Sequence, residues 1–97
     1  MNDFFVELSP RALRDLERVK REVFDASQSD HVTAGYLRRI AAEIDALSTM
    51  PSRFPFWKTS RKYRFLTVEK YLAFFQIEGV RVRVSHIRYA GRRPFRG

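Results

Sequence analysis

Apolar residues recur along this chain first at every second position, then along one side of a helical repeat, then at every second position again, and the order of elements follows from that succession. Phe4, Val6 and Leu8 alternate with Phe5 and Glu7, which predicts a short strand over residues 3–8 with one inward face. Ser9 then offers an N-cap oxygen and Pro10 stands at the first helical position, where its missing N–H costs nothing, so a helix begins there. Ala12, Leu16, Val19 and Val23 recur at helical spacing with Leu13 beside them and carry the helix to about Phe24. Arg11, Arg14, Glu17, Arg18 and Arg21 are expected to face solvent, with charges of both signs and no single-sign stripe. Residues 25–30 are rich in turn and cap residues. A second apolar stripe of Leu37, Ile40, Ile44 and Leu47, filled in by Ala41, predicts a second helix. A short polar joint between two one-sided helices reads as a helical hairpin over a common core. Pro51 and Pro55 then end regular structure.

From Lys62 onward the pattern is that of strands: 63–68, then 71–77, apolar on both faces as a central strand covered above and below, then 80–89. Glu69-Lys70 and Glu78-Gly79 make two tight connections, the second with glycine where a hairpin turn requires a positive φ. The expected fold class is therefore α+β, in the order β-α-α-β-β-β, with a helical hairpin packed on a small, mainly antiparallel sheet of about four strands. The last strand changes character along its length. Val80, Val82 and Val84 share a face that continues as His86 and Arg88, while Arg81 and Arg83 share one that continues as Ile87 and Tyr89. Either a bulge shifts the register near Ser85, or the apolar core ends there and polar groups take over. Both readings put His86 and Arg88 at a border between core and cleft.

Length and composition narrow the class. Ninety-seven residues suit a single domain over 1–97, with 44% hydrophobic residues and nine phenylalanines to fill its core. With no cysteine, neither a disulfide framework nor a thiolate metal site is available, and a cytoplasmic setting is the expectation. The first residues lack the apolar segment of a signal peptide, and no run approaches the ~20 apolar residues of a membrane span, so neither secretion nor insertion is expected. The net charge of +8 is unevenly placed: residues 53–97 hold twelve of the basic residues but only Glu69 and Glu78 as acids. Such a field favours a polyanion, an acidic protein or an anionic membrane surface, and charge alone does not choose among them.

The succession LSTMPSRFP, YRFLTVEKYLAFF and VRVRVSHIRYAGRR resembles the RelE/ParE family of toxins from bacterial type II toxin–antitoxin systems, its ParE-like branch in particular. The resemblance is carried by Leu47, Met50, Pro51 and Arg53, by Arg64, Leu66, Val68, Tyr71, Phe74 and Phe75, and by Val82, Val84, Ile87, Tyr89 and Arg92, in order over nearly the whole chain. Two positions depart from the family pattern: His86 stands where an arginine is usual, and Arg93 where an acid usually follows Arg92. The resemblance implies a toxin neutralised by a cognate antitoxin in a hetero-oligomer. An acidic, partly disordered antitoxin segment that folds on binding would suit the +8 charge. It implies one of two targets: DNA gyrase, inhibited by binding in the ParE-like mode, or the ribosome, where RelE-like members cleave mRNA. RelE-like members carry lysines where this chain has Tyr63 and Phe65 and an arginine where it has Leu72, which favours the gyrase mode. A small RNA-binding domain without toxicity is the third reading.

His86, Arg88, Tyr89, Arg92 and Arg93 form the densest cluster of candidate chemistry. If the protein is an endonuclease, His86 and Tyr89 would serve as base and acid for 2′-hydroxyl attack, with Arg92 among the cations that stabilise the phosphorane charge. The plainer account makes His86 a hydrogen-bonded border residue, Tyr89 a core residue and the arginines a solvated end. Arg53, Trp57, Lys58, Arg61 and Lys62 form a second basic patch interleaved with aromatics. Trp57 there could stack bases while lysines track phosphates, or the loop could cover a sheet edge with its aromatics tucked in. Arg88, Arg92 and Arg93 join that patch as expected target-binding residues. His31 lies far from His86 in sequence and no other ligand cluster is evident, so neither a metal nor another cofactor is expected.

Overall fold

The structure, a computed structural model, describes residues 3–58 and 60–91. The elements run β1 (Phe5–Leu8), α1 (Pro10–Ser27), α2 (Asp30–Asp45), β2 (Arg64–Val68), β3 (Tyr71–Glu78) and β4 (Arg81–Tyr89), with 3₁₀ turns at Ala46–Ser48 and Pro51–Arg53. The sheet order is β1-β4-β3-β2; β1 runs parallel to β4 and the other neighbours are antiparallel, so the sheet is mixed. The α+β order expected from the hydrophobic pattern is the order observed. Arg92 and Arg93 lie outside the described residues.

α1 starts as its first residues dictate, with the Ser9 hydroxyl accepting from the Ala12 N–H at 2.9 Å and Pro10 at the head of the helix. It runs one turn past Phe24, however, and the turn-rich stretch contracts to Gln28 and Ser29. Gln28 takes the left-handed backbone (φ 55°, ψ 33°) and returns its N–H to the Phe24 carbonyl, and the Ser29 hydroxyl then caps α2 at Val32. Helical capping geometry thus absorbs residues whose composition alone reads as a loop.

The hairpin covers one face of the sheet. Ala12, Val19 and Val23 from α1, Tyr36, Ile40 and Ile44 from α2, and Leu47 meet Leu66, Val68, Tyr71, Ala73, Phe75, Val82, Val84 and Ile87 in one core. Burial of a side chain the size of Ile40 or Phe75 contributes about 1.5–3 kcal/mol. Tyr36, not Ala41, fills the gap in the α2 stripe: its ring meets Tyr71 edge-on at 6.3 Å and its hydroxyl accepts from the Lys70 N–H at 3.1 Å, while Ala41 is exposed. β3 is buried on both sides as its unbroken apolar run requires, but among the described residues no helix covers the second face. There Leu72 and Phe74, 7% and 2% exposed, lie under side chains from the loop and from β4. Both hairpin turns open on a positive φ, Glu69 at 55° and Gly79 at 61°. Among the described residues no helix is long and apolar enough to cross a membrane.

Candidate functional site: the open face of the sheet

The change of character in the last strand is a β-bulge. Phe74 pairs with His86 and Phe75 with Val84, so Ser85 is the extra residue with no partner on β3. One inserted residue inverts the alternation: before it Val82 and Val84 face the helices, after it Ile87 and Tyr89 do. His86 and Arg88 consequently point away from the helices, in the row begun by Arg81 and Arg83.

On that open face five rings pack against one another. The imidazole of His86 stacks on Phe74 (centroids 4.6 Å, planes 14° apart) and receives Tyr63 edge-on at 5.3 Å. Trp57 stands edge-on to Phe65 at 5.1 Å and to Phe74 at 5.3 Å. Trp57 is brought there because its loop pairs with the edge of β2: the Trp57 N–H donates to the Tyr63 carbonyl at 2.8 Å and the Phe65 N–H to the Pro55 carbonyl at 3.1 Å. The cations lie above these rings. Lys58, with its backbone at φ 48°, holds its ammonium 4.9 Å from the Trp57 ring centre. The Arg88 guanidinium sits 5.2 Å from Trp57 and 5.3 Å from Phe74, and Lys62 lies 5.2 Å from Tyr63. Each such contact is worth about 0.5–1 kcal/mol at an exposed site. Together they hold exposed positive charge over an apolar floor.

Burial is the main reason the imidazole of His86 titrates below its ordinary value near 6.5. The Arg11 guanidinium and, more weakly, Arg88 act in the same sense, and the carboxylate of Asp15 opposes them. His86 is therefore neutral at pH 7, with Nδ1 3.0 Å from the Ser85 hydroxyl oxygen.

Of the residues singled out in the sequence, the fold brings His86 and Arg88 together with Trp57, Lys58 and Lys62. Both sequence-level readings of the loop describe part of what is seen: its aromatic is tucked against the sheet and its cations remain outside. Tyr89 lies across the sheet from His86, on the helix side, with its ring 5.7 Å from Tyr71. Arg53 folds back to the carbonyls of Thr49 and Met50 and over Phe54, and Arg61 lies with Arg64 over Phe56 at the sheet edge. Tyr63, Phe65 and Phe74 belong to the site although the sequence assigned them only to strands; their alternation with Arg64, Leu66 and Phe75 would have placed them on one face had the side covered by the helices been known. Arg18, expected in solvent, is a correction, and with it goes Asp15, a neighbour on the same charged helix. The Asp15 carboxylate is buried, accepting from the Ile87 N–H at 2.8 Å and from Arg18 at 2.7 Å, because β1 stops short of this part of β4 and leaves its edge to the helix.

A helical hairpin on one side of a small mixed sheet is an α+β fold that this chain shares with chains of solved toxin–antitoxin assemblies. A chain of the chromosomal ParDE TA system from P. aeruginosa superimposes with a TM-score of 0.79 at 14% identity, covering 92% of this chain and 98% of that one. A chain of the archaeal RelE-RelB complex from Pyrococcus horikoshii OT3 gives 0.62 at 11% identity, over 94% and 99%. No curated protein sequence matches the chain. The sequence profile of the ParE toxin of type II toxin-antitoxin systems, parDE, matches residues 6–94. The chain belongs to that family, within the wider RelE/ParE group of toxins.

Proposed function

We propose that the protein is a cytoplasmic, growth-inhibiting toxin that acts by binding DNA gyrase through the open face of its sheet. A cognate antitoxin holds it silent, laying an acidic, partly disordered segment on it in a toxin–antitoxin hetero-oligomer. The observation that carries the reading is the layer of Lys58, Lys62 and Arg88 over Trp57, Tyr63 and Phe74 on the side the helices leave uncovered. Aromatic and arginine side chains over a desolvated floor are the usual energetic anchors of protein interfaces, and exposed cations speed encounter with an acidic partner. Arg92 and Arg93, which follow β4 in sequence, and Arg53 and Arg61 are further target-binding residues in this reading. The ParDE system and the RelE-RelB complex, whose chains share this fold, are toxin–antitoxin assemblies, which supports an antitoxin as the partner here.

A second reading, ribosome-dependent mRNA cleavage without a metal, is favoured by the neutral, half-buried His86 beside exposed cations. His86 would take the 2′-hydroxyl proton and Arg88 would face the developing phosphorane charge. Tyr63, rather than Tyr89, is the tyrosine beside His86 on that side of the sheet. Supercoiling by purified gyrase and cleavage of ribosome-bound mRNA, measured side by side, separate the two. The expected result is inhibited supercoiling with intact mRNA; cleavage by the wild type that is lost in His86→Ala would replace the gyrase reading by the endonuclease one.

A further inference from the structure

β1 pairs with β4 only as far as Leu8 opposite Val84, and the last contact of that strand run is the Ser9 N–H to the Val84 carbonyl at 2.9 Å. Beyond it, among the described residues, no strand lies beside the outer flank of β4 at the level of the bulge. The side chains of α1 stand in its place. The Ser9 hydroxyl caps the helix and, at the same time, donates to the carbonyl of the bulged Ser85 at 2.6 Å. Nearly two turns on, Asp15 Oδ2 accepts from the Ile87 N–H at 2.8 Å, while Arg18 Nη2 donates to the Ile87 carbonyl at 2.8 Å. Arg18 Nη1 closes the set on Asp15 Oδ1 at 2.7 Å. An acceptor and a donor, fixed to each other, thus meet the N–H and C=O of one residue, as the backbone of a neighbouring strand would. Asp15 is only 6% exposed, so its carboxylate is committed to these bonds rather than to water.

A one-residue change of register in a strand sends each following side chain to the other face. Whatever holds Ser85 as the extra residue therefore decides that His86 and Arg88 look outward. We propose that Ser9, Asp15 and Arg18 are positioning residues of the open face: acting through the backbone of residues 85–87, they pin the bulge and thereby set His86 on Phe74 and Arg88 over Trp57. This rests on the proposed function only in taking that face as the working surface.

Ser9 offers a variant that separates positioning from helix capping. Ser9→Asp keeps a side-chain acceptor for the Ala12 N–H, and aspartate is as good a cap as serine, but it has no proton to give the Ser85 carbonyl. Ser9→Thr keeps both functions. Asp15→Asn keeps an acceptor for Ile87 and loses the charge that holds Arg18, and it serves if Ser9→Asp does not fold. In NMR spectra of the full chain, stacking on Phe74 should shift the His86 ring protons through the ring current, and the bond to Asp15 should protect the Ile87 amide from exchange. In folded Ser9→Asp and Asp15→Asn, that shift should fall by at least half and exchange at Ile87 should rise at least tenfold, with Ser9→Thr like wild type. An unchanged His86 shift and Ile87 protection in the folded variants would overturn the inference. A displaced His86 with undiminished growth arrest would support it and remove the open face from the proposed function, so the two failures read differently.

Discussion

His86 shows how a single residue records its surroundings. Burial against Phe74, together with the Arg11 guanidinium, favours its neutral form, so its folded pKa lies below the unfolded one. For a depressed histidine the stabilising contribution is full above about pH 6.5 and is lost as pH falls through the lower folded value. The stability advantage of wild type over His86→Gln should therefore shrink between pH 7.5 and pH 5, read from urea denaturation at each pH; an advantage that grew on acidification would mean that the imidazole is charged in place. Legibility differed residue by residue. His86 and Arg88 broke an apolar alternation and so were visible. Asp15 was not, because a carboxylate among arginines on a helix surface looks solvated until the end of β1 and the unpaired flank of β4 are known. Tyr89 read as part of the same cluster as His86 only because sequence proximity does not report which side of a bulged strand a residue takes.

At the scale of elements, capping and turn chemistry were legible and their exact reach was not. Ser9 and Pro10 announced α1, whereas its C-terminal turn lay hidden in residues 25–30, whose polarity suits either a loop or a helix end closed by a left-handed residue. That residue, Gln28, gives up the freedom a glycine would bring to φ 55°. Gln28→Gly should raise the unfolding free energy by about 0.5–1 kcal/mol. Gly79→Ala should lower it by about 1 kcal/mol through backbone strain alone at φ 61°, since no atom lies within 4 Å of the added methyl. Thermal and urea denaturation of the two variants check both signs; equal stabilities would place these turns in a different backbone state. The bulge at Ser85 was one of two readings the alternation allowed. The apolar side chains of Ile87 and Tyr89 decide for it, because without the extra residue they would leave the core and His86 and Arg88 would enter it.

For the molecule as a whole, the distribution of charge is the feature that sequence and fold express together. The basic C-terminal half that gives the chain its +8 supplies β2, β3, β4 and the loop before them, and it is this half that forms the open face. What the sequence could not show is that two separated patches, one in the loop and one in the last strand, come to lie over the same rings. If that shared face is the working surface, reversing its charge must abolish the effect on cells while the fold survives. Lys58 and Arg88 are both exposed, so Lys58→Glu with Arg88→Glu should cost little stability, within about 1 kcal/mol. The most direct measurement is growth after induction of this double variant without antitoxin, at protein levels matched to wild type and to Arg21→Glu on the outer side of α1. Arrest by wild type and Arg21→Glu, with at least a tenfold recovery of viable cells for the double variant, is the predicted result; full arrest by a folded Lys58→Glu, Arg88→Glu protein would contradict it.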